Sequence, residues 1–383
     1  MGNLLRTVAA FASLASVAYC ALSIWATLRF ARRLKQPIFE STNQPPVSIL
    51  KSLKGTDPEM YEGLRSHCLQ TYPDYEILFG ISDPSDPAVA VVETLKHDYP
   101  DHNISVVLCD KILGANGKVS NLAQIAAAVR HDIFVVNDSD IRVEPDYLGT
   151  VMRELQQPNV GLVTCLYRGV PANTVASKLE SLGISSDFMA GVLVARALEG
   201  GLRFGLGSTL ALRRRDLDAI GGFEAIADYL ADDYQLGKHI AAKNLKVELS
   251  HAVVETFLPA YDFRGFFSHQ LRWARTIRAS RPGGYAGLLL TFTLPWTLFA
   301  LALAHGARWA WGLLLLGLVL RLVMALVTGT FVLRDKHLLP SLWLLPIRDL
   351  LAVAIWFAGL RGRKIVWRGQ SFELDHEKLK HIE

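Results

Sequence analysis

Cysteine is scarce and scattered in this 383-residue chain. Cys20, Cys68, Cys109 and Cys165 stand far apart with no C-x-x-C among them. That pattern excludes a disulfide framework and a cysteine zinc site, and it suits a reducing compartment. Charge of one sign is missing too: 40 basic against 36 acidic residues leave a net charge of +4, which gives no electrostatic footprint for nucleic acid. No internal repeat or low-complexity tract occurs. A phosphate loop of the Walker A type is also absent, because Leu113-Gly114-Ala115-Asn116-Gly117-Lys118 has two residues between its glycines where that motif needs four. The glycosylation sequon Asn103-Ile104-Ser105 has no meaning in a cytosolic setting.

Apolar residues are abundant. They make up 51% of the chain, the mean hydropathy is +0.24, and the excess sits in the first 30 residues and the last hundred. Thr7 to Phe30 is uncharged until Arg29 and is long enough for a bilayer of ~30 Å at ~1.5 Å per residue. Arg32, Arg33 and Lys35 follow it, against a lone Arg6 before it. A cleaved signal peptide carries its basic residues before a shorter apolar core, so the segment reads as an uncleaved anchor with everything after it cytosolic. Near the other end, Tyr285 to Ala304 and Ala307 to Leu333 read as spans. Leu338 to Leu360 holds Pro340, Pro346, Arg348 and Asp349 and reads as broken or re-entrant. Arg361, Arg363 and Lys364 then place the C-terminal segment in the cytosol. An even number of crossings between those flanks makes Leu338 to Leu360 the re-entrant element if the two earlier helices both span.

Between these apolar ends, Val47 to Leu53, Tyr75 to Ile81, Ile104 to Asp110, Ile133 to Asp138 and Val160 to Tyr167 are short apolar runs separated by segments of helix length. The alternation predicts a mostly parallel, doubly wound α/β sheet. The fourth run ends on Asn137-Asp138-Ser139-Asp140. Ligands of open α/β sheets bind at the carboxyl ends of strands, and side chains two apart on extended backbone leave on one side, so Asp138 and Asp140 can converge on a hard cation such as Mg²⁺ or Mn²⁺. An isolated D-x-D is more often a strand-ending turn; the other landmarks favour the site. The second run ends in Ser82-Asp83-Pro84-Ser85-Asp86-Pro87, a second acidic cluster at a strand end. Lys118 opens the helix Val119 to Val129, where it can reach a diphosphate with help from the helix N-terminus. Gly200 to Gly207 is glycine-rich, and Gly221-Gly222-Phe223 marks a turn where backbone must approach something closely. Asp232 and Asp233 precede the helix Tyr234 to Ala242, and Phe263 to Arg278, with Arg264, Arg272, Arg275 and Arg278, reads as a basic amphipathic helix on an anionic membrane surface.

Together these residues resemble glycosyltransferases of the GT-A fold, and more narrowly the ceramide glucosyltransferase family with its bacterial relatives. The likeness runs from about Val47 to Arg278 and includes the flanking membrane segments. It rests on four landmarks in order: Asp86 in the Ser-Asp-Pro-Ala position, Asp138 in Asp-Ser-Asp-Ile-Arg-Val, Asp233 in Ala-Asp-Asp-Tyr, and Arg272-Trp273. The family's usual Q/R-x-x-R-W begins here with His269. The resemblance implies that Asp83 or Asp86 holds uracil and ribose, that Lys118 approaches the diphosphate, and that Asp138 and Asp140 frame the nucleotide and its metal, with Asp140 the direct ligand. It implies that Asp233 is the base, ionised at neutral pH by its helix-start position, and that Arg272 and Trp273 contact diphosphate and acceptor. The implied chemistry is inverting transfer from a UDP-sugar to a lipid hydroxyl.

The implied organisation is an anchor (1–35), a Rossmann-like nucleotide-binding GT-A domain (36–262), an interfacial helix carrying His269-x-x-Arg272-Trp273 (263–284), membrane helices (285–362) and a cytosolic tail (363–383) in the cell's inner membrane. Gly161 to Gly169 and Ala190 to Arg196 are most similar to bacterial hopanoid-associated transferases, which implies N-acetylglucosamine transfer from its UDP-sugar to bacteriohopanetetrol. Glucosylation of ceramide is the alternative, from which Asp187 departs where ceramide enzymes carry a histidine. A processive polysaccharide synthase would have more spans and a full Q-x-x-R-W. A transporter or receptor would carry polar groups at mid-membrane, where this sequence has only Arg321, Arg348 and Asp349.

Overall fold

The structure is a computed structural model describing residues 2–37 and 43–382. It divides into two compact units, each built from non-contiguous segments.

One unit comprises Gln36–Tyr167, Glu199–Pro259 and Lys364–Glu383. Its strands are β1 (Val47–Leu53), β2 (Tyr75–Ile81), β3 (Ile104–Leu108), β4 (Ile133–Val136), β5 (Ile141–Arg142), β6 (Val160–Val170), β7 (Leu210–Arg213) and β8 (Lys246–Phe257). Among the described residues these eight form one sheet in the order β3-β2-β1-β4-β7-β6-β8-β5. The first four are parallel, as the alternation of strand and helix predicts. From β4 onward the sheet turns antiparallel: β7 runs against both β4 and β6, and β5 against β8. The expectation of a mostly parallel sheet therefore holds for half of it. Alternate residues Val47, Ile49 and Leu53, with Ile77, Phe79, Val135 and Val163, form one fully buried face, each large side chain contributing about 1.5–3 kcal/mol by leaving water.

The segment 363–383 is more than a tail. β9 (Lys364–Trp367), β10 (Gln370–Asp375) and β11 (Lys378–His381) make a three-stranded antiparallel meander within this unit.

The second unit comprises Met1–Lys35, Arg168–Leu198 and Ala260–Arg363. Among the described residues, four of its helices are long and apolar enough to cross a membrane: Gly2–Arg33, Val175–Leu198, Arg308–Val332 and Leu338–Gly359. Two differences from the sequence reading follow. Arg168–Leu198 belongs with the apolar helices and not with the sheet, because its buried Leu179, Leu182 and Ala176 pack with Phe266, Leu344 and Trp356. A 54° bend separates Pro282–Thr291 from Thr293–Leu303, and a 3₁₀ turn, Leu342–Leu344, interrupts Leu338–Gly359. In the latter, Pro346 sits in the first turn of Leu345–Gly359, where proline is tolerated. Of the charged residues there, Asp349 is paired, accepting from Arg321 at 2.7 Å, while Arg321 also donates to the Ser186 carbonyl at 2.9 Å and Arg348 donates to Gln270 Oε1 at 3.1 Å.

Candidate active site

The site grows from the carboxyl end of β4. Its apolar residues stop at Val136, and Asn137 is buried beneath the loop, where its amide donates to Tyr147 Oη (3.0 Å) and the Ser208 carbonyl (2.7 Å). That anchor fixes the next three residues. Asp138 is part exposed; Ser139 turns inward and donates to Asp57; Asp140 accepts from Thr256 Oγ1 at 2.5 Å and its carbonyl accepts from Phe257 N at 3.1 Å. Strand β8 thus orients the second carboxylate. Burial, followed by the charge of Asp138, raises the Asp140 carboxyl to about 6. An adjacent cation would relieve both effects.

Lys118 stands in the first turn of the helix Gly117–Ala128, whose N-cap Asn116 accepts from Val119 N at 3.2 Å. Its ammonium lies 2.7 Å from Asp138 Oδ1 and 2.8 Å from Asp232 Oδ2. Burial alone would lower it, but the two carboxylates outweigh burial and hold its pKa above the usual lysine value. The preceding loop has a structural task. Asn116 N donates to the Ala227 carbonyl at 2.7 Å, Ala115 N to Asp228 at 3.0 Å, and a Cβ on Gly114 would strike Ala227 at 2.6 Å. The loop therefore docks on the residues that lead into Asp232.

The helix Asp232–Ala242 begins two residues earlier than the sequence pattern suggests. Asp233 Oδ2 accepts from Gly207 N at 2.7 Å, and Oδ1 accepts from Tyr234 N at 2.7 Å. Asp138 N in turn donates to the Gly207 carbonyl at 3.3 Å, and a Cβ at Gly207 would stand 2.7 Å from Asp138 Oδ2 and 3.4 Å from Asp233 Oδ2. Gly207 is thus the pivot across which the two acids face each other. The expectation that the helix start keeps Asp233 ionised at neutral pH is corrected here. Burial and then the Asp232 charge raise its carboxyl to about 7, against the opposing pull of Lys118 and the Tyr234 amide.

At the end of β2, Asp86 accepts from Gly55 N through both oxygens at 2.9 Å and from Ala88 N at 2.9 Å. It ties the end of β1 to the start of the next helix. Asp83 is exposed and is consumed by its own turn, accepting from Ser85 N (2.8 Å) and Ser85 Oγ (2.7 Å), which lower its pKa. Arg272 and Trp273 lie on Phe263–Ser280 in the other unit, where Trp273 packs on Phe188 and His269 at 5.5 and 5.3 Å between ring centroids. Arg275 and Arg278 of that helix do not form a free basic face, since they donate to the carbonyls of Arg361, Gly359 and Gly362.

Two residues escaped the motif reading. Lys51 is fully buried on β1 and donates to the Asp138 carbonyl at 3.1 Å; burial lowers it to about 7 against the pull of Asp140 and Asp138. A lysine inside an apolar strand was its signal. Asp57 joins Ser139 to Arg368 and had none.

Among the described residues no cluster of three or more His, Cys, Asp and Glu side chains is arranged to hold a metal. Two carboxylates such as Asp138 and Asp140 would suit a hard cation that completes its shell with phosphate oxygens and water, as Mg²⁺ does.

The sequence profile of glycosyl transferase family 21 matches residues 8–380. The chain belongs to that family. Ceramide glucosyltransferase 1 of Caenorhabditis elegans is 25% identical over 251 residues, 65% of this chain and 53% of the worm protein. The ceramide glucosyltransferase of Candida albicans is 34% identical over 162 residues, 38% and 30% of the two chains. The chain thus spans about half the length, or less, of these curated relatives. The mannosyltransferase PcManGT of Pyrobaculum calidifontis, solved with GDP-Man and Mn²⁺, superposes with a TM-score of 0.51 at 20% identity, covering 91% of this family 21 chain and 97% of its own. The fold is GT-A.

Proposed function

We propose that this protein is a membrane-embedded, inverting glycosyltransferase that moves a sugar from a UDP-sugar to the hydroxyl of a membrane lipid. The observation that carries the reading is the opposition of Asp138 and Asp233 across Gly207. The carboxylate pair at the end of β4 suits a cation and a diphosphate, and the Asp233 carboxyl is separate from it. This divides the roles an inverting displacement needs, charge neutralisation for the leaving group and a proton acceptor for the incoming hydroxyl.

In this reading Asp138 and Asp140 hold Mg²⁺ or Mn²⁺, which supplies charge neutralisation of the departing diphosphate. Lys118 is already poised between carboxylates and turns to phosphate oxygens when the donor enters. Asp86, anchored at the junction of β1 and β2, is better placed than the exposed Asp83 to hold uracil and ribose. Asp233 takes the acceptor proton, while Arg272 and Trp273 serve diphosphate and acceptor. Membership of family 21 and the likeness to ceramide glucosyltransferases support a lipid acceptor. The finer reading is N-acetylglucosamine transfer to a hopanoid such as bacteriohopanetetrol. Glucosylation of ceramide is the second reading, favoured by the named relatives. The catalytic unit lies on the cytosolic side of the inner membrane.

Metal dependence tests the site. Asp140→Asn keeps the shape of the side chain but loses the charge a hard cation prefers, so UDP binding in the presence of Mn²⁺ should weaken at least tenfold, by roughly the scale of a lost charged contact. Full activity after chelation, or wild-type UDP affinity in Asp140→Asn, would overturn the assignment.

A further inference from the structure

The meander β9-β10-β11 sits in the same unit as the carboxylates. Both of its connections are two-residue turns: Trp367 pairs with Gln370 around Arg368-Gly369, and Asp375 pairs with Lys378 around His376-Glu377. Such turns need positive φ and usually take Asn, Asp or Gly. Here Arg368 has φ +49° and His376 φ +56°, conformations that longer side chains seldom occupy. An arginine held there calls for a reason outside the turn.

The reason is visible in what the two turns grip. Arg368 Nη1 and Nη2 donate to the two oxygens of Asp57 at 2.9 and 3.0 Å, and Nη1 also donates to the Lys54 carbonyl at 3.1 Å. Asp57 accepts from Ser139 Oγ, the residue between Asp138 and Asp140. At the opposite turn, Glu377 accepts from Gln235 Nε2 at 2.9 Å and from Lys238 Nζ at 3.0 Å, both on the helix that begins with Asp232 and Asp233. Leu379 N donates to the Asp228 carbonyl at 2.7 Å, just ahead of that helix. The six residues of β10 separate the turns by ~20 Å of extended chain. One small sheet therefore holds the metal-side loop with one end and the base-bearing helix with the other.

We infer that this C-terminal meander is a clasp that sets the two sides of the donor site, with Arg368 the positioning residue for Asp138 and Asp140 and Glu377 the positioning residue for Asp233. A bidentate guanidinium–carboxylate pair fixes direction as well as distance, and lysine cannot reproduce the fork. The inference rests on the function proposed above, and its effects separate by side. Loss of Arg368 acts on donor binding; loss of Glu377 acts on the chemical step.

The test uses the full-length protein in detergent with UDP and Mn²⁺ as the probe. Arg368→Ala should raise the UDP dissociation constant and the donor KM roughly tenfold with kcat nearly unchanged, the signature of lost ground-state binding. Arg368→Lys should fall between it and wild type. Glu377→Ala should lower kcat with donor KM nearly unchanged. Lys380→Ala, which removes an exposed pair with Asp375 at 2.6 Å on the same meander, should change neither. Arg368→Ala combined with Asp57→Asn should cost little more than either alone, since both break one link. Loss of thermal stability in Arg368→Ala with wild-type donor KM would make the contact merely structural and overturn the inference. If wild-type protein binds no UDP, the proposed function fails instead, and the clasp is judged by amide exchange at 138–141, which should quicken in Arg368→Ala and refutes the clasp if unchanged.

Discussion

Asp233 is where helix position and burial compete, and burial wins. A helix N-terminus favours a carboxylate by ~0.3–1 kcal/mol at exposed sites, but this carboxyl is enclosed and adjoins Asp232, so it titrates near 7. As a base it must be ionised, and a raised pKa leaves it protonated below that value. kcat/KM should therefore fall as pH drops through about 7 and level off above it, and Asp233→Asn should abolish that limb while cutting turnover by about 10² to 10⁴. A pH profile unchanged by Asp233→Asn, or a larger loss from Asp232→Asn, would move the role elsewhere. Gly207→Ala tests the pivot: a methyl 2.7 Å from Asp138 Oδ2 must push one acid away, so kcat/KM should drop by roughly tenfold or more with the circular dichroism spectrum retained, given how steeply rates depend on alignment. Asp138 and Asp140 were candidates because acids at a strand end carry a positional signal, whereas Asp233 was singled out by the family resemblance alone. The sequence hid Asp57 and Gly207, whose roles depend on what the fold sets beside them.

At the scale of elements, β1, β2 and the helices after β3 and before β8 were legible from periodicity. Strand β8 was not, because Lys246–Phe257 interleaves polar residues with apolar ones, and neither was the antiparallel half of the sheet, which depends on connections and not on local pattern. The charges inside apolar helices were visible, but their pairing was not. Arg321 and Asp349 lie 28 residues apart and meet at 2.7 Å in a buried setting. Removing one partner of such a pair typically costs about 3–5 kcal/mol, whereas replacing both by apolar residues is often neutral. Asp349→Ala should thus lower the thermal unfolding midpoint in detergent markedly, and Arg321→Met with Asp349→Leu should recover most of it. Equal loss in the single and double variants would show that packing, and not the charge pair, sets stability there.

Across the whole molecule, chain connectivity constrains the membrane path. The chain leaves the sheet-bearing unit after Tyr167 and rejoins it at Glu199, then leaves after Pro259 and rejoins at Lys364. If the apolar helices cross a membrane and the sheet-bearing unit stays on one side of it, each excursion must begin and end on that side. Val175–Leu198 then cannot cross alone despite its length, and an even number of crossings falls between Pro259 and Lys364. If those are Arg308–Val332 and Leu338–Gly359, the pair Pro282–Thr291 and Thr293–Leu303, bent by 54°, is a re-entrant loop and not a broken span. A reporter placed after Ala304 should therefore share the side of one placed after Lys364; opposite sides would refute this path. The central claim is tested most directly by incubating purified protein with radiolabelled UDP-N-acetylglucosamine or UDP-glucose, Mn²⁺, and hopanoid or ceramide in mixed micelles. The account predicts a labelled glycolipid and an equal amount of UDP, both abolished by chelator and restored by added metal. UDP-sugar left intact with every lipid, or hydrolysed with no glycolipid formed, would contradict it.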